Sequence, residues 1–169
     1  MSIDVLFESE IIMNANSAAF DNLDAVLDAA MDDIDDLPPV GVPPSGHYNL
    51  EVTATREQNK EKTGEFIKFE YKVLAVNELK NPEEAEGAAE GMKFSNIFSP
   101  IKKDGTVNEW GLGFLKEAVA PFSAHFGTTK MGETIAQINQ VCIAATLTRK
   151  QNKKDEDRFD FSLKDVVVL

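Results

Sequence analysis

Between residues 47 and 76 the chain twice alternates apolar with polar side chains, the period of two that a half-buried strand requires. In 47–55, Tyr48, Leu50, Val52 and Ala54 alternate with polar neighbours. In 66–76, Ile67, Phe69, Tyr71, Val73 and Ala75 alternate with Phe66, Lys68, Glu70 and Lys72. Lys62, Thr63, Gly64 and Glu65 between the runs have turn composition, so the two form a long hairpin. The spacing predicts a third strand over 91–98 and two more over 141–149 and 159–168, the last pair flanking a polar loop as a second hairpin. A helix is expected over 110–126, with Phe114, Leu115, Ala118, Val119 and Phe122 on one face and Pro121 bending or breaking it. Residues 131–139 allow a further turn of helix. The stretch NPEEAEGAAEG, residues 81–91, reads as a mobile loop.

Charge divides the chain more sharply than hydropathy does. Met1–Leu37 holds ten of the 29 acidic residues and none of the 17 basic ones, leaving 17 bases against 19 acids in the remainder. The first basic residue is Arg56. A near-neutral domain carrying an acidic arm has different partners from a uniformly acidic protein. The expected organisation is an acidic arm over 1–37, partly helical or disordered, a Pro-rich linker over 38–45, and a domain over 46–169. In the linker, Pro38, Pro39, Pro43 and Pro44 favour a stiff extended chain that holds the arm away from the domain. Within the arm, Phe20, Leu23, Leu27, Ala30, Ile34 and Leu37 recur at helical spacing, with Ser17 as a candidate N-cap. Asp32, Asp33, Asp35 and Asp36 crowd the end of that stripe, where the helix dipole disfavours anions. Phe20, Leu23, Leu27 and Ile34 with these four aspartates form the candidate partner-binding arm, a helix that becomes ordered on a partner.

The order β-β-β-α-β-β gives the fold class as mainly β, a five-stranded OB-fold barrel with the acidic arm appended. Two predicted hairpin tips share a sequence: Arg56 to Lys60 reads REQNK, and Arg149 to Lys153 reads RKQNK. The match is either chance or a shared hairpin solution, or it marks the two loops that flank the groove of such a barrel and grip single-stranded nucleic acid. On the second reading Arg56, Lys60, Lys62, Arg149, Lys150, Lys153, Lys154 and Arg158 supply phosphate contacts. Phe66, Lys68, Lys72 and Lys93 lie between the loops and suit base stacking with backbone neutralisation; Phe66 fits equally a satellite core contact. Trp110 reads more readily as core than as a ligand platform. Cys142, the only cysteine, lies in an apolar run and reads as a packed side chain, leaving no internal disulfide.

The stretch SGHYNLEVTATREQNKEKTGEFIKFEYKVLAV, followed by GMKFSNIF and the terminal hairpin, resembles bacteriophage-type single-stranded DNA-binding proteins of the OB-fold class over about residues 45–168. The resemblance implies largely sequence-independent binding of single-stranded DNA in phage DNA replication and recombination. It also implies recruitment of replication or recombination proteins through an acidic segment. In the family that segment is C-terminal; here the end, LKDVVVL, is apolar and the acidic segment is N-terminal. The resemblance assigns no individual residue its role.

No phosphate-binding loop, dinucleotide fingerprint, metal-binding His motif or nucleophile–base pair occurs in the sequence, so the expectation is a protein that is not an enzyme and takes no cofactor or metal. No run is long and apolar enough to span a bilayer, and no secretory signal is evident. The expected compartment is the cytoplasm, that of the host if the chain is phage-encoded. The sequence leaves open DNA or RNA, and monomer or oligomer. Two further readings stand beside the first. One is a protein-interaction module whose acidic arm docks on a partner or imitates a nucleic-acid backbone, with the barrel as scaffold. The other is a virion or assembly protein.

Overall fold

The computed structural model describes residues 27–28, 41–58 and 64–169. The chain divides into two units, Met1–Leu37 and Pro38–Leu169. Of the arm residues singled out above only Leu27 is described, and it is exposed. Phe20, Leu23, Ile34, Asp32, Asp33, Asp35 and Asp36 lie outside the described residues, as do Lys60 and Lys62 at the first hairpin tip.

Pro38–Leu169 contains five antiparallel strands: β1 (Gly46–Gln58), β2 (Glu65–Leu79), β3 (Lys93–Phe98), β4 (Val141–Gln151) and β5 (Phe159–Val168). Two helices, α1 (Glu109–Phe126) and α2 (Met131–Gln137), separate β3 from β4. The period-two pattern sets the faces. Tyr48, Leu50 and Val52 of β1 and Phe69, Tyr71 and Val73 of β2 are buried, and Ile143, Ala145 and Leu147 of β4 join them. Leu115, Val119 and Phe122 press α1 onto this core. Phe69 carries much of the junction, its ring lying 5.3 Å from that of Phe98 and 6.3 Å from that of Phe122.

The sheet order is β3-β2-β1-β4-β5. β1 is the hub, pairing with β2 along its whole length and with β4 from Gly46 to Val52. β3 and β5 are the edges and make no ladder with each other. No Cα of β3 comes within 8 Å of one in β5, whereas paired antiparallel strands bring opposed Cα atoms to about 4.5–5.5 Å. The expected closed OB-fold barrel is therefore corrected to an open five-stranded antiparallel sheet. The two edges run in the same direction, and parallel pairing is the weaker kind; only side chains cross between them, with the Phe94 and Phe161 rings 5.0 Å apart.

Several local expectations change as well. The 81–91 stretch is not an open loop: it carries a 3-10 helix, Pro82–Gly87, capped by Asn81, whose side chain accepts the Glu83 N–H at 3.2 Å. Pro121 sits inside α1 without ending it; α1 stops at Gly127, which takes the left-handed conformation, φ 69°, that favours glycine. Pro43 and Pro44 are fully buried, so the second half of the Pro-rich stretch belongs to the domain. The Tyr48 hydroxyl donates to the Pro44 carbonyl at 2.5 Å. Cys142, expected to be packed, is exposed on β4. Among the described residues no helix is long and apolar enough to cross a membrane.

Candidate functional site

The strand register separates the two matching hairpin tips. Gln58 pairs with Glu65 at one end of β1, and Gly46 pairs with Leu147 at the other, just before the second tip begins at Arg149. The described arginines at both tips already have partners. Arg56 is bonded to Glu65 across the β1–β2 ladder, which holds the Glu65 carboxyl below its ordinary range and raises the Arg56 guanidinium above its own.

Arg149 turns inward and acts as a clamp. Its guanidinium donates to the Val42 carbonyl at 3.1 Å, lies 3.5 Å from a Glu84 carboxylate oxygen, and stacks 4.2 Å above the centroid of the Phe159 ring. Its backbone N–H donates to Ser45 Oγ at 2.8 Å. With its side chain only 18% exposed, this arginine offers little of its guanidinium to a phosphate. Arg158 faces Asp160 at 3.9 Å, and Lys150 stands opposite Asp160 in the ladder. Lys153 and Lys154 occupy the β4–β5 turn, where Asn152 Oδ1 accepts the Lys154 and Asp155 N–H groups.

The face between the tips is mixed in sign. Its rows run Glu51, Lys72, Lys93; then Thr53, Glu70, Ser95; then Thr55, Lys68, Ile97; and Glu57 stands opposite Phe66, which is half-buried. Lys68 pairs with Glu70 at 3.6 Å. A polar cleft of about 350 Å³ on this face is lined by Glu51, Glu57 and Glu70 as well as by Lys72 and Lys93. A polyanion laid here would meet carboxylates between the lysines, a repulsive arrangement.

The uncommitted surface lies elsewhere, on the segment from the end of β3 into α1. After Phe98 the chain makes a tight excursion in which Ile101 bridges Val107, and the Lys102 N–H donates to the Thr106 carbonyl at 2.8 Å. Asp104 accepts both the N–H and the hydroxyl of Thr106, which holds its carboxyl below the usual range. Asn108 then starts α1: its Oδ1 accepts the Gly111 N–H at 3.3 Å, and its Nδ2 donates to the Ser99 carbonyl at 2.9 Å. Gly111 packs so closely on that carbonyl that a Cβ would overlap it. The start of α1 is thus fixed against the end of β3, and its first turn faces outward.

Trp110, expected in the core, is 79% exposed, and Phe114, expected on the core face of the helix, is 56% exposed. Their rings lie 6.2 Å apart. Ile97, Ile101 and Val107 are also about half exposed. Since an aromatic side chain can bury about 150–250 Å², Trp110 and Phe114 alone leave on the order of 300 Å² of apolar surface open, the range of the largest patch on a typical monomer. Charges of both signs are exposed on the same segment, Lys102, Lys103 and Lys116 together with Asp104, Glu109 and Glu117, and no ion pair among the described residues engages them. Phe114 and Ile97 continue the patch into a cleft of about 360 Å³ between β3, α1 and β5, whose deeper wall includes Phe98, Phe122, Phe161 and Leu163.

The sequence signal for this surface was the spacing of four between Trp110 and Phe114. Leu115, Val119 and Phe122 form a separate stripe around the helix, and placing Phe114 with them merged two faces into one. As for relatives, no family model matches the chain, nor does any curated protein or solved structure. The resemblance to phage single-stranded DNA-binding proteins is therefore without support, and with the barrel open the reading as a single-stranded DNA-binding protein is withdrawn.

Proposed function

We propose that Pro38–Leu169 is a protein-interaction module, with no reaction of its own, that engages its partner through the Trp110–Phe114 surface. The observation that carries this reading is the exposure of the chain's only tryptophan, 79%, beside a half-exposed phenylalanine at the start of a firmly anchored helix. Tryptophan left in water forgoes the burial that its size makes favourable, about 25 cal/mol per Å², and tryptophan is enriched among residues that dominate binding energy at interfaces. The charges beside the patch are of both signs, Lys102 and Lys103 with Glu109 and Glu117, so its apolar centre and not its charge selects the partner.

The reading is tested by placing a photo-crosslinking amino acid at position 110, or at position 80 on the β2 side as a control, in the full chain inside its producing cell. Discrete protein adducts from position 110 that are absent from position 80, and that disappear when Phe114→Glu is added, are expected. No adducts, or the same adducts from both positions, would overturn it.

A further inference from the structure

Two glycines lie in the first turns of α1, and the packing of the domain accounts for only one of them. Gly111 rests on the Ser99 carbonyl, which a Cβ would overlap. Gly113 has no such neighbour: a Cβ placed on it would meet nothing within 4 Å. Glycine is the least favourable residue after proline inside a helix, so Gly113 weakens α1 with no packing benefit inside the domain. Its place on the helix gives the context. At about 3.6 residues per turn, Gly113 falls near the middle of the exposed face, opposite the stripe of Leu115, Val119 and Phe122 that enters the core. Trp110 and Phe114 line one edge of that face, and Glu109 and Lys116 line the other.

We propose that this face binds the same face of a second copy of the chain, the two α1 helices lying antiparallel about a two-fold axis beside Gly113. The inference names the partner of the Trp110–Phe114 surface and rests on the interaction-module reading. A two-fold contact must be complementary to itself. The charges beside the patch are of both signs, and their order along α1 meets that condition. In an antiparallel pair centred between Leu112 and Gly113, Glu109 of each copy faces Lys116 of the other, on both sides of the axis. On the opposite edge Trp110 comes against Phe114 of the second copy. Glu117 reaches the first turn of the second copy's helix, the end at which the helix dipole favours an anion. Lys102, Lys103 and Asp104 precede the helix and are not needed for this contact. Within one chain Glu109 and Lys116 stand two turns apart, about 10.5 Å, and form no ion pair. The missing side chain at Gly113 lets the two helices approach to the short end of the usual interaxial range, about 8 Å. The apolar rings supply the affinity and the charges set the orientation. Two copies bring together on the order of 600 Å² of ring surface, below the roughly 1,200 Å² at which standard interfaces begin, so the dimer forms reversibly.

Sedimentation of the purified full chain from about 10 μM to 1 mM tests the proposal, and a reversible monomer–dimer equilibrium is expected. Gly113→Gln puts a side chain into the contact while favouring the helix; it should raise the melting temperature and lower self-association about tenfold. Glu109→Lys and Lys116→Glu should each lower self-association about fivefold. An equimolar mixture of these two variants should recover the dimer, because one carries only positive and the other only negative charge at the paired positions. A chain that stays monomeric throughout would overturn the proposal, as would a dimer that Gly113→Gln leaves intact or a mixture that fails to recover. Adducts to other proteins from position 110, with a monomeric chain, would leave the interaction module standing and remove the second copy. A dimer that passes the mixing test while position 110 stays silent in the cell would keep the second copy and remove the module reading.

Discussion

The two flanks of the sheet treat their large side chains in opposite ways. On the β4 flank, Arg149 holds Val42, Ser45 and Glu84 and lies on Phe159, while Tyr48 takes the Pro44 carbonyl. There polar groups are spent on the domain itself. On the β3 flank, Ile97, Ile101, Val107, Trp110 and Phe114 stay half exposed or more, and the neighbouring lysines are unpaired among the described residues. Residue type alone points the wrong way in both places: the arginine that looks like a ligand is structural, and the tryptophan that looks structural is presented to solvent. What separates them is whether nearby groups satisfy the side chain.

The largest effect that could break this contrast is at Arg149. Replacing it with alanine removes a charged hydrogen bond to Val42, the Glu84 contact and the stacking on Phe159, and should cost about 2–3 kcal/mol. Chemical denaturation measures it; a loss well under that range would make Arg149 an available surface base after all. Gly111→Ala comes next. The added methyl overlaps the Ser99 carbonyl, and a cost of about 1–3 kcal/mol is expected. A parallel change in Trp110 fluorescence should report the displaced helix start.

Tyr48 sharpens the β4 side by its titration. Burial pushes its phenol up from 10.0 to about 12, only partly offset by the Arg149 charge. The unfolded chain therefore loses this proton first. The stabilisation is fully present below pH 10 and falls as pH rises from 10 through about 12. Thermal melts across that window should show the loss, and Tyr48→Phe should reduce its slope, leaving the part due to Tyr71, whose phenol burial also raises. The smallest expected effect is on the β3 flank: Trp110→Ala should leave stability within about 0.5 kcal/mol, while removing the contact surface. A large loss of stability would place Trp110 among the structural residues and dissolve the contrast.

The strands were legible because alternation is a local signal: β5 falls at Phe159–Val168 as the spacing predicts, and β1 and β2 extend the expected runs by a few residues. Closure was not, because it depends on how far apart two edges distant in sequence come to rest. The pattern that marks 91–98 and 159–168 as strands is the same whether or not those strands meet. The basic tips misled for a related reason. REQNK and RKQNK are alike in sequence, but Arg56 meets Glu65 nine residues on, whereas Arg149 meets Val42 and Glu84 from far earlier in the chain. Those distant partners are invisible to a local motif.

The buried prolines have a mechanical consequence. Pro43 and Pro44 are packed inside the domain, and Val42 is held by Arg149 from β4, the strand beside the central β1. Tension on the chain ahead of Gly41 is thus delivered to the middle of the sheet, where it loads Arg149 and the long β1 ladders together. The free edges are spared, so the load is shared among interior strands and the domain resists being unzipped from Gly41 onward.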